Sequence, residues 1–496
     1  MKLDLTAERH YFASAEMTDG AVIVDARAYY RAFYRAALEA ERYIWLAGWQ
    51  FDSEVALLRG EDAEGAPLPV TLLAFLDALA RRRPELEIRL LAWDYSFVYA
   101  LEREWLQGLK FELGTSDTIR FEFDLHPRPG GSHHQKFVVI DGVLGFAGGL
   151  DICDARWDDR GHAPDDPHRV NVAGDPMRPN HEVQAAVVGP AASTLAELFR
   201  ARWQRACGET LPLPRADGEA QKRVNLRALT AGTGLPLAAK RVFMSATGID
   251  EHDTPIVQIR DVYADAIRAA ERLIYIETQY FTSRTIAAAL VERLSDRSRP
   301  PLTVVVVLPK EADTGKEAFA LGETQSMALG TLEATAKAQG HDLFLLCTCC
   351  ERGQPTFVHS KLLLVDDEFL SVGSANFTER SMGLDTELAL MWQAQGDADL
   401  GRDIARVRAS LLAEHAGRDE AEFLDGEQLA QRLKALVAPG ASRLSACHYE
   451  ATAPNPLKTW IFDPGGPLSL AEVWSDDDRR RLTDGNHALR RELERR

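Results

Sequence analysis

Apolar residues in this chain gather in short, nearly unbroken runs, and between them lie stretches whose apolar positions recur every three or four residues. Ile44-Trp-Leu-Ala47, Glu87-Ile-Arg-Leu-Leu-Ala-Trp93, Leu302-Thr-Val-Val-Val-Val-Leu308 and Leu343 to Cys350 are of the first kind and predict buried strands. Tyr29 to Ala40, Leu72 to Arg83, Ala191 to Ala206, Asp261 to Ala270, Ile286 to Leu294 and Arg402 to His415 are of the second kind and predict helices. Strands that are apolar on both sides, alternating with helices, predict an α/β fold whose sheets are covered on both faces.

The pattern occurs twice. Glu41-Arg-Tyr-Ile-Trp-Leu-Ala-Gly-Trp-Gln-Phe-Asp-Ser53 lies against Glu271-Arg-Leu-Ile-Tyr-Ile-Glu-Thr-Gln-Tyr-Phe-Thr-Ser283 without a gap, with five identities. Each copy follows a predicted helix and precedes another helix and strand. The segment Gly208 to Lys240, rich in Pro, Gly and polar residues, separates the copies. The organisation expected is a first lobe over residues 1–215, a linker over 216–240 and a second lobe over 241–496.

The polar residues repeat in the same register. His134-Gln-Lys-Phe-Val-Val-Ile-Asp141 matches His359-Ser-Lys-Leu-Leu-Leu-Val-Asp366, again read as strands. His134 pairs with His359, Lys136 with Lys361, Asp141 with Asp366, Gly148 with Gly373 and Gly149 with Ser374, all at an offset of 225. Side chains two apart on a strand share a face, so each strand would present an imidazole beside an ammonium. Two such pairs facing one another suit a phosphate group, with lysines on its oxygens and histidines on the attacking and leaving sides. Glu387, after Asn376, and Glu182, after Asn180-His181, are carboxylates placed to bind an imidazole Nδ1 and set its tautomer. His133 would face away, and Asp141 and Asp366 lie too far along to touch their own histidine and read as structural.

These motifs resemble the phospholipase D superfamily, which is marked by a duplicated His-x-Lys-x4-Asp followed by Gly-Gly or Gly-Ser. Ile274-Tyr-Ile-Glu-Thr-Gln-Tyr-Phe281, Gly148-Gly-Leu-Asp151 through Arg156-Trp-Asp158, and Arg380 to Glu387 are similar to its other signatures, with Thr278 where relatives carry asparagine. The resemblance implies two α/β/α lobes with mixed sheets, related by a pseudo-twofold axis, and a site at their interface that needs neither metal nor cofactor. It implies catalytic roles for His134, Lys136, His359, Lys361, Glu182 and Glu387, with a phosphohistidine on His134 and His359 as the acid. Ser374, Asn376, Gly149 and Asp151 would contact the substrate. The implied reaction is hydrolysis of a glycerophospholipid headgroup ester or transfer of the phosphatidyl group to an alcohol. A cardiolipin synthase-like transferase is the nearest alternative, and a nuclease or a non-catalytic nucleic-acid scaffold is a more distant one.

Charge and cysteine content narrow the choice. With 75 acidic and 57 basic residues the formal charge is −18, which opposes binding of nucleic acid. The partner expected is phospholipid at a membrane or micelle surface, approached by a monomer. Residues 1–18 lack a basic segment followed by an apolar run, so a cytoplasmic location, or export without a signal peptide, is expected, with peripheral membrane contact. The six cysteines show no zinc-like spacing and read as reduced thiols. Trp49, Phe51, Tyr280, Phe281 and the stretch Trp93 to Tyr99 read as core or pocket wall.

Overall fold

A computed structural model describes residues 1–94, 110–111, 115–128, 130–213, 218–250, 254–311, 315–438, 440–449 and 463, with no side chains described for 218–220 and 315–320. Most of the stretch Trp93 to Tyr99 therefore lies outside the described residues.

Two sheets carry the duplication. The first runs, edge to edge, through Leu235–Pro236, Asp19–Val24, Val183–Val188, Leu144–Gly148, Phe137–Ile140, Tyr43–Gly48, Glu87–Trp93 and Ile119–Asp124. The second runs through Ala13–Glu16, Arg241–Ile249, Glu387–Gln393, Phe369–Gly373, Leu362–Val365, Leu273–Glu277, Thr303–Val307, Asp342–Thr348 and Leu444–Ala446, with Pro255–Val257 branching off Arg241–Ile249. Position by position the two orders correspond. In each, three consecutive strands are parallel, Tyr43–Gly48, Glu87–Trp93 and Ile119–Asp124 in the first and Leu273–Glu277, Thr303–Val307 and Asp342–Thr348 in the second. The neighbour on their inner side is antiparallel, while Leu444–Ala446 adds an antiparallel strand at the far edge of the second sheet. This is the pair of mixed α/β/α lobes expected.

Period-two burial explains the layering. Tyr43, Trp45 and Ala47 face a core shared by both lobes, whereas Ile44 and Leu46 face the outer helices Ala26–Leu38 and Leu72–Arg82. In the second lobe, Leu362 and Leu364 face the shared core, and Leu363 and Val365 face the outer helices Gln258–Ala269, Arg284–Ser295 and Gly315–Gln339. The helices Pro190–Cys207 and Ala398–Ala416 complete the shared core through Phe199, Trp203, Ile404 and Leu411. Because that core is common to both sheets, the lobes are packed as one body.

The outermost strands are exchanged. Ala13–Glu16, near the start of the chain, pairs with Arg241–Ile249 of the second sheet, and Leu235–Pro236, just ahead of the second lobe, pairs with Asp19–Val24 of the first. Each sheet thus has an edge finished by chain contiguous with the other sheet.

Two expectations need correction. The strands after the histidines begin only at Phe137 and Leu362, and the histidines lie ahead of them in extended chain that pairs with the opposite lobe. The cysteines are not all thiols either. Cys347 and Cys447 form a disulfide with Cα atoms 6.4 Å apart, because Leu444–Ala446 pairs antiparallel with Asp342–Thr348, and Cys153, Cys207, Cys349 and Cys350 are free. No helix among the described residues is long and apolar enough to cross a membrane.

Candidate active site

Each candidate histidine is delivered by one lobe and oriented by the other. The chain ahead of Phe137 pairs with the chain ahead of Glu387: His134 N donates to Thr386 O at 3.0 Å and Thr386 N donates to Ser132 O at 2.9 Å. In the symmetry-related position Phe357–Val358 runs parallel with Asn180–His181, and His359 N donates to His181 O at 2.9 Å. Backbone pairing across the interface brings each imidazole against the carboxylate of the opposite half. Nδ1 of His134 lies 3.1 and 3.0 Å from the two oxygens of Glu387, and Nδ1 of His359 bonds Glu182 Oε1. An ionised carboxylate can only accept, so opposite the ionised form of each Glu the Nδ1 carries the hydrogen and Nε2 is left to face a substrate.

The lysines sit beside this pair of dyads and are buried. Lys136 Nζ donates to His134 O at 3.2 Å and forms an ion pair with Asp151 at 3.1 Å, and Lys361 Nζ donates to His359 O. Arg156 is a third cation close enough to act on Glu182, His359 and Lys361. It lies in the first-half insertion, which has no counterpart in the repeat. That is why the repeat did not single it out.

The electrostatics are those of an anion site. Burial, reinforced by Lys361, Arg156 and Lys136, holds His359 well below the usual imidazole range. Burial also lowers Lys361 to about 7, against the pull of Glu182, and raises Glu182 to about 7, against the pull of Lys361 and Arg156. Desolvation thus drives these groups toward their neutral forms. An entering phosphodiester anion has the opposite effect and would return protons to His359 and Lys361.

The remaining sequence candidates separate into different tasks. Gly149 lies against the opposite lobe: a β-carbon there would stand 3.1 Å from Glu182 Oε2, 3.1 Å from Lys361 Cδ and 3.4 Å from His359 O. Asp151 was expected at the substrate, but its carboxylate accepts from Trp49 N at 2.8 Å and holds Lys136. A second anion turned toward phosphate would repel it, so the geometry makes Asp151 a support for the lysine. Ser374 also departs from expectation. Its one hydroxyl hydrogen goes to Glu387 Oε2 at 2.5 Å, and its oxygen accepts from Leu388 N at 3.1 Å, so it supports the His134–Glu387 dyad rather than a phosphoryl oxygen. Asn376 is buried, and its Oδ1 has no hydrogen-bond partner among the described residues. Thr278, in place of asparagine, receives Phe377 N at 3.2 Å and donates to Tyr280 O, fixing the turn after Asn376.

Asp141 and Asp366 stand outside the site and close the strand ends. Asp141 accepts from the N–H groups of Glu41, Arg42 and Tyr43, and Asp366 from those of Glu271, Arg272 and Leu273. Both adopt left-handed backbone, φ 53° and 57°, which Asp tolerates better than most residues.

Comparison with known proteins bears on the family and the fold. Residues 263–406 match the family described as cardiolipin synthase, PLD-like domain. The chain is 25% identical over 512 residues to phospholipase D alpha 4 of Arabidopsis thaliana, covering 83% of this chain and 66% of that one. It is 26% identical over 541 residues to phospholipase D alpha 2 of Oryza sativa subsp. japonica, covering 80% and 64%. The family model and these relatives support the phospholipase D superfamily for this chain. The chain spans just under two thirds of the length of these relatives. The crystal structure of a phosphatidylserine synthase from Haemophilus influenzae has the same fold, with a TM-score of 0.55 at 13% identity over 86% of this chain and 94% of that one.

Proposed function

We propose that this chain, as a member of the phospholipase D superfamily, hydrolyses the headgroup phosphodiester of glycerophospholipids through a covalent phosphohistidine. The observation that carries the reading is the pair of crossed dyads, His134–Glu387 and His359–Glu182, flanked by two buried lysines at one interface. Nε2 of one imidazole attacks phosphorus, and the bond from phosphorus to the headgroup oxygen breaks as the other imidazole gives that oxygen its proton. The second imidazole then takes a proton from water, hydroxide displaces the P–N bond, and phosphatidate leaves. The resemblance assigns attack to His134 and acid catalysis to His359. Lys136, Lys361 and Arg156 neutralise the phosphoryl oxygens, so the scheme uses no metal or cofactor.

The substrate is presented at a membrane or micelle surface to a monomer in peripheral contact with it. The formal charge of −18 weighs against a nuclease. A second reading, phosphatidyl transfer to a lipid alcohol, is favoured by the match to the cardiolipin synthase family model. It differs only in which hydroxyl resolves the intermediate.

The test is incubation with mixed phospholipid vesicles, with and without added glycerol or phosphatidylglycerol, and with single-stranded DNA, followed by mass spectrometry. Phosphatidate is the expected product, absent with His134→Ala and with His359→Ala. Turnover of DNA alone, or wild-type rates in either variant, would refute the reading, and dominant transfer product would establish the second one.

A further inference from the structure

Behind the His359–Glu182 dyad lies a buried cluster of acids and histidines drawn from both lobes. At its centre is Glu277, the last residue of Leu273–Glu277, which is fully buried and belongs to neither repeat motif. Its carboxylate accepts four side-chain bonds. His415 Nε2 at 2.9 Å and Tyr275 OH at 2.5 Å reach Oε1, and His181 Nε2 at 3.0 Å and Ser360 Oγ at 2.5 Å reach Oε2. His181 is the chain neighbour of Glu182, and Ser360 is the chain neighbour of His359. One carboxylate oxygen therefore holds the residue next to each member of the dyad.

The charge on that grip is fixed by geometry. His181 meets a carboxylate at both ring nitrogens, Glu277 at Nε2 and Glu414 at Nδ1, 2.6 Å away. Neither carboxylate can donate, so both nitrogens carry hydrogen and the ring is an imidazolium. His162 is held in the same way, 2.8 Å from Asp158 and 3.2 Å from Glu414. A divalent cation would need the same nitrogens stripped of their hydrogens, so the proton and a metal compete for one place. The positive partners already present, Arg160 on Glu414 and Arg169 on Asp158, offset the remaining acid. Asp25 adds a further hold, because it accepts Glu182 N at 3.0 Å while its own N–H donates to Glu182 O at 2.9 Å.

The other dyad is supported differently: Asp124 takes Arg202 at 2.8 Å and pairs with His133 at 3.2 Å, and His133 Nδ1 lies 3.0 Å from Thr386 Oγ1, beside Glu387. In the aligned repeat the position of Glu277 is Ala47, and the other dyad is steadied by Ser374.

We propose that Glu277 is a positioning residue, fixing the Nδ1–carboxylate geometry of the His359–Glu182 dyad by holding His181 and Ser360 together. The inference rests on the phosphodiesterase reading for its kinetic consequence but not for its structural one. Replacing the carboxylate by an amide gives His181 an N–H donor or a neutral oxygen where it had an anion, and the two halves of the dyad lose their common anchor. Misplacement of a catalytic group by a fraction of an ångström to an ångström lowers rates by about ten- to hundredfold.

The experiment compares wild type with Glu277→Gln and Ser360→Ala, the latter a small change that removes one of the four bonds and leaves the ionic core intact. Expected are a fall in kcat with KM within about twofold of wild type, and loss or broadening of the low-field proton resonance of His359 Nδ1–H in 15N-histidine NMR. A role confined to holding the fold together would reduce the folded fraction and leave that resonance and the kcat of the folded protein unchanged, which would overturn the proposal. If the wild type turns over no phosphodiester, the functional reading fails by itself, and the resonance decides the positioning role. Retention of the resonance in both variants refutes it, and its loss in both supports it. Uptake of zinc by wild-type protein with release of the His181 ring protons would replace the ionic description by a metal site and also refute the proposal.

Discussion

Asp366 is the residue whose role is most exposed to test, because a motif carboxylate invites a catalytic reading and the structure gives it another. Its Oδ1 accepts from Arg272 N at 2.7 Å and Leu273 N at 2.8 Å, and its Oδ2 accepts from Glu271 N at 2.6 Å. In Asp366→Asn the amide oxygen keeps the first two bonds as neutral ones, and the amide nitrogen faces the Glu271 N–H donor to donor. Losing one charge-assisted bond and weakening two predicts a destabilisation of about 1.5–3 kcal/mol. In Asp366→Ala all three N–H groups lose their acceptor, and a residue without a local hydrogen bond must hold φ 57°, which predicts about 3–5 kcal/mol. Urea unfolding followed by circular dichroism measures both, and activity per folded molecule is read in parallel. The graded order wild type, Asn, Ala, with kcat/KM of the folded Asn variant near wild type, is the expected result. A variant of wild-type stability that has lost turnover would show that Asp366 acts in the chemistry and that the reasoning is wrong.

His359→Asn should lose least activity on substrates with a good leaving group such as p-nitrophenol, which needs little protonation, whereas His134→Asn should be inactive on all of them. A trapped phosphohistidine peptide containing His359 would reverse that assignment. Activity should survive excess EDTA, since Lys136, Lys361 and Arg156 already supply the positive charge, and loss that a divalent ion restores would contradict this. His162 is raised to about 10, with Asp25, Asp158 and Glu414 prevailing over burial, so its stabilising effect is complete below the unfolded imidazole value of about 6.5, declines above it and is gone past pH 10. The difference in urea midpoint between wild type and His162→Asn should therefore be largest near pH 6 and close by pH 10, and a difference that does not shrink would show that the ring is held neutral.

The sequence by itself determined the duplication, the α/β class, the strand cores and the identity of both histidine–lysine motifs. These are local properties: a buried strand shows as an apolar run, a helix as a period of three to four, and a duplicated site as a constant offset of 225 residues. The tertiary structure alone decided which groups meet. That Glu387 serves His134 and Glu182 serves His359 depends on strand pairing across the lobes at separations of 253 and 177 residues, which no periodicity records. For the same reason Ser374 and Asp151 moved from the substrate to the support of Glu387 and Lys136, the opening strand Ala13–Glu16 joined the far sheet, and Cys347 found Cys447. Glu277 shows the limit most clearly. As a charged residue ending an apolar strand it is ordinary in sequence, and it gains meaning only when folding removes it from water and leaves His181, Ser360, Tyr275 and His415 as the donors that can satisfy it.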